Sequence, residues 1–214
     1  ESLSLGACYY LNRKNKNHFL KNIYLGQKLN NFEIDEKFLR KKINKKFMIK
    51  KNVNHFEIAK LINKGEIIAV VRGREEFGAR SLGNRSILAN PYKDGIVQKI
   101  NDQIKNRDFW MPFALTIMEK YHKNFIQNTK SVNSDFMTLG FDTVEKNYHL
   151  IKNGTHQYDQ TVRPQILKKD FNEKFYSLIN SFYKLTNVPA LLNTSLNLHG
   201  YPISSDIDAM LFTF

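Results

Sequence analysis

Short blocks of apolar residues alternate with polar stretches from residue 54 onward, and their spacing predicts alternating helices and strands. Residues 54–64 have the period of one apolar helical face, with Asn54 in the capping position and Gly65 as the stop. The continuous apolar run 66–71 that follows predicts a buried strand. A helix followed directly by a buried strand is typical of an α/β domain.

The same patterns predict further helices and strands. The helices cover residues 94–105, 170–187 and 206–214, and each begins at an aspartate that can accept hydrogen bonds from the first turn. The strands cover residues 109–118, 135–141 and 188–195. Pro112 interrupts the first of these strands, which predicts an edge position or a bulge. We therefore predict an α/β fold in which helices flank a mixed, twisted sheet.

The N-terminal quarter of the chain follows a different pattern. Residues 1–11 are small and apolar, and they predict a helix that packs closely through Gly6 and Ala7. Residues 12–53 are rich in Lys and Asn, which predicts a connector with a weak helix near residues 33–43.

The charge balance suggests the kind of ligand. The chain has 33 basic and 20 acidic residues and a formal net charge of +13. This surplus favours a polyanionic partner or a phosphate-rich substrate. The lysines are scattered along the chain, however, and they fit equally well a compositional bias that leaves them on the surface.

The rarer residue types exclude several classes of protein. The single cysteine, Cys8, excludes an internal disulfide framework and fits a reducing compartment, so we expect a cytoplasmic location. The six histidines lack the paired helical spacing of a zinc site, and we predict no metal site. No apolar run approaches the ~20 residues of a membrane helix, so we expect no membrane partner.

The segment from residue 73 to residue 88 concentrates glycine and arginine directly after a predicted strand. These residues are Gly73, Gly78, Gly83, Arg74, Arg80 and Arg85. Glycine lets the backbone approach a ligand, and guanidinium groups offer a fork of donors that suits phosphate. The segment therefore predicts an anion-binding loop. A structural turn with solvated arginines fits the composition equally well.

Further polar residues lie near the ends of predicted strands. Lys105 and Arg107 form one pair, and Ser195 and Asn197 form another. Positions i and i+2 of an extended segment point the same way, so each pair can meet one ligand. Two cations suit an anion, whereas a hydroxyl and an amide suit phosphate oxygens or a small amide group. Arg163 precedes a proline and is expected in an extended conformation. Taken singly, each of these residues also fits an ordinary surface position.

Four longer motifs follow one another along residues 54–214: GREEFGARSLGNRSILANP, INDQIKNRDFWMPFA, HQYDQTVRPQIL and VPALLNTSLNLHGYPI. In the same order, they resemble the motifs GRxEFGPRALGNRSILADP, INxxIKxRExFRPFA, HVDGTARPQTV and PVLLNTSFNxxGEPI. These are motifs of the NodU/CmcH/TobZ family of carbamoyltransferases. The opening SLGA also resembles the end of that family's upstream, ASKHA-like transferase domain.

This resemblance implies a domain organisation and a reaction. Residues 54–214 would form a C-terminal YrdC-like domain, after a connector at 12–53 and the tail end of the ASKHA-like domain at 1–11. The YrdC-like domain would bind ATP, with magnesium on the nucleotide, and carbamoyl phosphate, and would form carbamoyl-adenylate. The upstream transferase domain of the same chain would pass the carbamoyl group to a hydroxyl acceptor. Any further metal ion is expected in that upstream domain.

The resemblance also implies roles for the polar residues. YrdC-like proteins carry K-x-R and S-x-N patterns, which the pairs at 105–107 and 195–197 match. The expected catalytic residues are Lys105, Arg107 and Arg163. The expected substrate-binding residues are Arg80, Arg85, Ser195 and Asn197. The cations would act as an electrostatic clamp on both substrates, without a covalent nucleophile. Phe77 and Leu82 are expected to anchor the loop to the core.

Five positions depart from the family motifs. Ala79 and Ser81 replace a proline and an alanine. Met111 replaces an arginine, Leu196 a phenylalanine and Tyr201 a glutamate. If relatives use the arginine at position 111 to contact phosphate, this protein either lacks that contact or uses Arg107 in its place.

Two other functions stay open. An RNA-binding YrdC-like module would suit the positive net charge, but the chain lacks an obvious aromatic stacking motif, so nucleic acid is not the expected partner. Threonylcarbamoyl-adenylate synthesis is the chemistry of stand-alone YrdC proteins, and the signature at 73–88 favours the carbamoyltransferase family over it. A homodimer is compatible with the sequence.

Overall fold

A five-stranded mixed sheet lies at the centre of the part of the chain that the structure describes. That part, in this computed structural model, comprises residues 2–15, 20, 22–29, 36–43, 48–108 and 110–213. The strands are β1 (Ile68–Val71), β2 (Arg85–Ala89), β3 (Ala114–Met118), β4 (Gln165–Leu167) and β5 (Ala190–Ser195). They lie in the order β1-β2-β5-β3-β4. Only β3 and β4 pair in parallel. The predicted mixed sheet is confirmed.

Helices flank this sheet. The α-helices are α1 (Ser2–Leu11), α2 (Glu36–Lys42), α3 (His55–Lys64), α4 (Ile96–Ile100), α5 (Glu173–Thr186) and α6 (Ile207–Thr213). A π-helix (Asn101–Lys105) continues α4, and 3₁₀-helices cover Glu119–Asn124, Glu145–Leu150 and Lys152–Gly154. Helix α3 packs against α5, and α5 packs against β3 and β5. Phe175, Leu178 and Phe182 of α5 are buried, so this helix packs through one apolar face.

Local capping signals predicted two helix starts correctly. The side chain of Asn54 accepts a 2.9 Å hydrogen bond from the backbone N–H of Glu57, and Gly65 ends α3 in the left-handed conformation. Asp206 Oδ1 accepts a 2.8 Å hydrogen bond from the N–H of Ala209 at the start of α6. In each case the cap is the residue immediately before the helix.

Two other predicted caps are wrong. Helix α4 begins after Gly95, and Asp94 instead pairs with Lys152 at 2.5 Å. Helix α5 is capped by Asn172, whose side chain accepts a hydrogen bond from the N–H of Phe175. Asp170 lies outside that helix, because the asparagine two residues later satisfies the first turn.

Three strand predictions need correction. Residues 135–141 do not form a strand: Phe141 makes only an isolated bridge with Val162, and Met137 has a positive φ of 55°. The strand predicted over 109–118 begins at Ala114, after Pro112; residue 109 lies outside the described residues. Strand β2 lies inside the segment that was interpreted as a loop.

The N-terminal helix forms, but not with the predicted packing. A Cβ atom added at Gly6 would meet nothing within 4 Å, so this glycine is not a point of close contact. Helix α2 lies within the region predicted to contain a weak helix, and residues 33–35 of that prediction lie outside the described residues. An isolated β-bridge between Lys28 and Arg74 joins the connector to the loop that precedes β2.

The strand register brings the polar segments to one end of the sheet. Ser86 of β2 lies opposite Ser195 of β5, and Ala114 of β3 lies opposite Asn193. The start of β2, the start of β3 and the end of β5 therefore share this end. Strand β4 starts there too, because it runs parallel to β3. Most of the candidate residues thus precede a strand rather than follow one.

Candidate anion-binding site

Three arginines line a narrow pocket of about 40 Å³ at this end of the sheet. Arg80 comes from the loop before β2, Arg107 from the segment before β3, and Arg163 from the segment before β4. We call these three residues the arginine cluster. Within the described part of the chain, none of the three side chains forms a hydrogen bond or an ion pair, and Arg163 Nε is buried without a partner. Convergent guanidinium groups without a carboxylate suit an anionic ligand.

The positive charges of the arginine cluster repel one another. Burial and the nearby charge of Arg80 lower the pKa of Arg107. Burial, Arg80 and Arg107 lower the pKa of Arg163 in the same way. An anion bound between these groups would relieve their repulsion. The Arg107 guanidinium also lies 5.5 Å from the ring centroid of Phe113, a contact that supports its orientation.

A buried glutamate shapes the loop that carries Arg80. Glu76 Oε1 accepts hydrogen bonds from the backbone N–H groups of Leu82, Asn84 and Arg85, at 2.7, 2.7 and 3.2 Å. This carboxylate folds the loop around itself, while Arg80, which lies between Glu76 and Leu82 in the chain, stays exposed. Sequence reasoning missed Glu76; an acidic residue among the glycines and arginines of the loop was the available signal.

The loop is also fixed to the core. Gly83 has a φ of 104°, and a Cβ atom there would lie 2.2 Å from Phe175 of α5, so the position requires glycine. Leu82 is fully buried, which confirms its predicted anchoring role. Phe77 is only half-buried and lines a cavity, which corrects the expectation that it packs into the core.

Arg85 lies apart from the cluster. Its side chain is fully buried, and its guanidinium donates to the backbone carbonyls of Arg72 at 2.8 Å and Ser205 at 3.1 Å, among others. This placement corrects the expectation that Arg85 lines the phosphate pocket beside Arg80. The guanidinium instead ties the loop, β1 and the segment before α6 together.

Lys105 joins the π-helix to the end of β5 and the residues that follow it, and it does not face an open pocket. Its buried ammonium donates to the backbone carbonyl and the hydroxyl of Ser195, and to the carbonyl and Oδ1 of Asn197. Burial, with a further contribution from Arg107, lowers the pKa of Lys105 to about 7. The K-x-R and S-x-N patterns are therefore in direct contact, but Arg107 lines the narrow pocket and Lys105 does not.

The reason is the local backbone, which is not extended at Lys105. The π-helix ends with a 2.7 Å hydrogen bond from the N–H of Asn106 to the carbonyl of Asn101, and Asn106 then adopts a left-handed conformation with a φ of 44°. This turn directs Lys105 toward β5 and leaves Arg107 in the pocket. π-Helical turns are frequent at functional sites, but the sequence pattern of residues 94–105 does not predict one.

Ser195 and Asn197 do lie at the site, as one unit. The Ser195 hydroxyl donates a 2.6 Å hydrogen bond to Asn197 Oδ1, and Asn197 Nδ2 donates a 2.5 Å bond to the carbonyl of Tyr201. Both residues line a second cavity of about 550 Å³, the polar cavity, together with Arg80 and Arg107. A third cavity of about 530 Å³, the apolar cavity, is also lined by Arg80.

A buried polar network supports the pocket floor, and sequence reasoning missed it. The Ser81 hydroxyl donates to Asn193 Oδ1 at 3.1 Å, and Asn193 Nδ2 donates to the Thr116 hydroxyl at 2.9 Å. That hydroxyl donates to Gln165 Oε1 at 3.0 Å. These hydrogen bonds link the loop that carries Ser81 to β5, β3 and β4. The asparagine and threonine of the motif VPALLNTS were the available signal.

Comparison with known proteins places the chain in a family. It matches the family model described as "Carbamoyltransferase C-terminus" over residues 59–214. The chain belongs to the carbamoyltransferase C-terminus family. The resemblance to NodU/CmcH/TobZ-type carbamoyltransferases is thereby confirmed.

Relatives of this family member are much longer proteins. The chain is 43% identical over 136 residues to an uncharacterized protein of Methanocaldococcus jannaschii, covering 64% of this chain and 26% of that protein. It is 37% identical over 148 residues to nodulation protein NolNO of Sinorhizobium fredii, covering 69% of this chain and 22% of that protein. It is 33% identical over 134 residues to a 3'-hydroxymethylcephem-O-carbamoyltransferase of Amycolatopsis lactamdurans, covering 62% of this chain and 24% of that protein. The chain thus spans about a quarter of the length of these curated relatives.

Two solved structures share the fold. Full-length HypF, in a phosphate- and nucleotide-bound form, matches with a TM-score of 0.54 at 15% identity, over 78% of this chain and 20% of HypF. A P. abyssi Sua5 variant matches with a TM-score of 0.50 at 15% identity, over 77% of this chain and 47% of Sua5. These likenesses support the predicted α/β, YrdC-like fold.

The positions that depart from the family motifs lie in different places. Ala79 and Ser81 line the narrow pocket, and Tyr201 lines the polar cavity. Leu196 is fully buried, and Met111 is half-buried. Among these positions, Ala79 and Tyr201 both line the polar cavity and therefore alter the surface that a ligand there would meet.

Two features are absent from the described ranges. None of the helices there has both the length and the apolar composition that a membrane crossing requires. Over the same ranges, no group of three or more histidine, cysteine, aspartate or glutamate side chains is placed to hold a metal ion.

Proposed function

We propose that this chain is the carbamoyl-adenylate-forming, C-terminal part of an O-carbamoyltransferase. It binds ATP, as the magnesium complex, and carbamoyl phosphate, and an upstream domain passes the carbamoyl group to a hydroxyl acceptor. The observation that carries the proposal is the arginine cluster, whose three charges have no carboxylate partner among the described residues. Membership of the carbamoyltransferase C-terminus family supports the choice of substrates.

The reaction balances as carbamoyl phosphate, ATP and water giving carbamoyl-adenylate, phosphate and pyrophosphate. Water takes the phosphoryl group of carbamoyl phosphate, the bond between that phosphorus and the bridging oxygen breaks, and carbamate remains. A carbamate oxygen then attacks the α-phosphorus of ATP, and the bond from that phosphorus to the oxygen bridging the β-phosphorus breaks. Two polyanions must approach each other, so neutralisation of their charge is the main requirement.

The chain's own residues divide this work. The arginine cluster neutralises the phosphates, since Arg80 lines both large cavities, Arg107 lines the polar one and Arg163 lines the apolar one. Ser195 and Asn197 orient a polar substrate from the wall of the polar cavity, and Lys105 holds both of them in place. Magnesium arrives with the nucleotide, coordinated by its phosphates.

Release of pyrophosphate tests the proposal. We expect release only when ATP and carbamoyl phosphate are both supplied. Release with ATP, bicarbonate and threonine, but not with carbamoyl phosphate, would replace the proposal with threonylcarbamoyl-adenylate synthesis. RNA binding that weakens steeply with salt, without any pyrophosphate release, would instead favour an RNA-binding module.

A further inference from the structure

Residues 22–29 of the connector lie along the loop that carries Arg80, and we call this segment the strap. Its backbone runs antiparallel to residues 73–77. Hydrogen bonds join the N–H of Leu29 to the carbonyl of Gly73 at 3.4 Å, that of Glu75 to Gln27 at 2.9 Å, that of Gly26 to Glu75 at 3.0 Å and that of Phe77 to Ile23 at 2.7 Å. The strap lies outside residues 59–214, which the family model matches. A segment from outside that match therefore supports the loop.

Two adjacent residues of the strap hold the two ends of the short segment in which Arg80 lies. The carbonyl of Ile23 accepts a 2.7 Å hydrogen bond from the N–H of Phe77. The hydroxyl of Tyr24 donates a 2.8 Å hydrogen bond to the carbonyl of Leu82. Because Arg80 lies between Phe77 and Leu82 in the chain, the strap fixes the backbone on both sides of it.

The side chain of Tyr24 is itself held by the start of α5. Its hydroxyl accepts a 3.0 Å hydrogen bond from Nδ2 of Asn172, the residue that caps this helix. Its ring meets Phe171 edge-on, with the two ring centroids 5.5 Å apart. Burial raises the pKa of Tyr24, so its hydroxyl stays a donor throughout the neutral pH range. The strap therefore ties the loop to an element of the core.

We propose that the strap positions Arg80 for phosphate binding, with Tyr24 as the positioning residue. The inference rests on the proposed function, since it assumes that the arginine cluster binds a phosphate ligand. Arg80 is exposed and has no side-chain partner among the described residues, so the direction of its guanidinium depends on the backbone of the loop. Ordering a long side chain on an unsupported loop would cost binding free energy. Arg107 and Arg163 reach the pocket from other segments and do not depend on the strap.

Two substitutions loosen the strap in different ways. Tyr24→Phe removes the hydroxyl and keeps the ring. Gly26→Val adds a side chain whose Cβ would lie 2.8 Å from the Cβ of Glu75, so the strap and the loop must move apart. The matched controls are Tyr158→Phe and Gly140→Val. Tyr158 is exposed, and a Cβ atom at Gly140 would meet nothing within 4 Å.

Binding of inorganic tripolyphosphate, a ligand that offers only phosphate groups, tests the role of the strap. Isothermal titration calorimetry on the 214-residue chain measures it. We expect Tyr24→Phe to weaken binding about fivefold and Gly26→Val about tenfold, because Arg80 then meets the ligand from a looser loop. Both control variants should bind within about twofold of the unaltered chain.

A double-mutant cycle separates positioning from a general loss of stability. In an Arg80→Gln background, Tyr24→Phe should change the affinity by less than about twofold, because the side chain that the strap positions is gone. In an Arg107→Gln background, Tyr24→Phe should keep its effect of about fivefold, because Arg107 comes from another segment. A general loss of stability would act alike in both backgrounds.

The contrary outcomes are distinguishable. Normal affinity in both Tyr24→Phe and Gly26→Val would overturn the inference and leave the proposed function intact. An equal effect of Tyr24→Phe in the two arginine backgrounds would also overturn it, because the strap would then act through the fold as a whole. If the unaltered chain does not bind tripolyphosphate, the proposed function itself fails, and the inference fails with it.

Discussion

Nζ of Lys105 donates a 2.7 Å hydrogen bond to Oδ1 of Asn197, a residue 92 positions further along the chain. The same ammonium also reaches the hydroxyl of Ser195 at 3.2 Å. The K-x-R and S-x-N patterns are therefore two halves of one hydrogen-bonded unit. Arg107, one peptide beyond the left-handed turn, is left to face the ligand pocket.

The protonation state of the Lys105 side chain should change when a polyphosphate binds. Burial and Arg107 lower its pKa to about 7, so at about pH 8.5 most of the ligand-free protein carries the neutral amine. A polyphosphate beside Arg107 stabilises the ammonium and raises its pKa. We therefore expect ATP binding at about pH 8.5 to take up close to one proton. Calorimetry in two buffers with different ionisation enthalpies measures this uptake.

Two lysine variants control that experiment. Lys105→Met should abolish the proton uptake, whereas Lys184→Met, at an exposed position of α5, should leave it unchanged. Uptake that persists in Lys105→Met would assign the titrating group elsewhere. We also expect Lys105→Met to lower pyrophosphate release sharply, because Ser195 and Asn197 lose their shared donor.

The arginine cluster should show opposite effects on stability and on binding. Replacing Arg107 or Arg163 with Gln removes one of three mutually repelling charges, so the ligand-free protein should gain stability in urea unfolding. The same changes should weaken tripolyphosphate binding by about 10- to 100-fold, the usual range for one lost charge-assisted hydrogen bond.

Arg74→Gln is the matched control for these variants. Arg74 lies in the same loop as Arg80, is exposed, and donates a 2.7 Å hydrogen bond to the backbone carbonyl of Leu25. Its replacement should leave tripolyphosphate affinity unchanged. A stability loss in Arg107→Gln or Arg163→Gln together with normal binding would show that these arginines hold the fold and not the ligand.

Local signals in the sequence predicted the helices and strands whose formation depends on residues close together in the chain. Helix α3 follows from one apolar face, a capping Asn54 and a terminal Gly65, all within twelve residues. Strand β5 follows from a continuous apolar run. Three residues of the expected site, Arg80, Arg107 and Arg163, line one pocket. The sequence predicted this grouping through the motifs that it shares with the family.

Elements decided by tertiary contacts could not be predicted in this way. Strand β2 contains two buried polar residues, Arg85 and Ser86, and it becomes an interior strand because β1 and β5 pair on either side of it. Glu76 has the sequence context of a surface loop, yet it is buried because three backbone N–H groups surround its oxygen. The ammonium at the end of the π-helical turn, that of Lys105, likewise finds its acceptors on Ser195 and Asn197, far along the chain.

Glu76 should prove essential for the stability of the loop. In Glu76→Ala, the N–H groups of Leu82, Asn84 and Arg85 lose their common acceptor inside the protein. We expect the free energy of unfolding to fall by about 2–4 kcal/mol, since buried donors without partners are costly. Urea denaturation measures the loss. Glu76→Gln keeps one acceptor oxygen and should recover part of it, whereas Glu145→Ala, at an exposed position, should cost little. Equal stability of Glu76→Ala and Glu145→Ala would refute the role assigned to the buried carboxylate.

Arg85 and Arg80 should respond oppositely to the same substitution. A lysine keeps the charge but loses the fork of donors. At position 85 the fork holds buried carbonyls, including those of Arg72 and Ser205, so Arg85→Lys should lower the free energy of unfolding by about 2–4 kcal/mol. Its folded form should still bind tripolyphosphate within about twofold, because the group does not line the pocket.

Arg80→Lys is the counterpart. Arg80 is exposed and has no side-chain partner among the described residues, so its replacement should leave the unfolding transition unchanged. Tripolyphosphate binding should weaken about tenfold, since a single ammonium cannot reproduce a bidentate contact with phosphate oxygens. Unfolding curves and binding isotherms of the two variants, recorded side by side, separate the roles. If Arg85→Lys instead weakened binding without loss of stability, Arg85 would be a ligand contact, and the buried guanidinium would have to leave its carbonyl partners when the ligand binds.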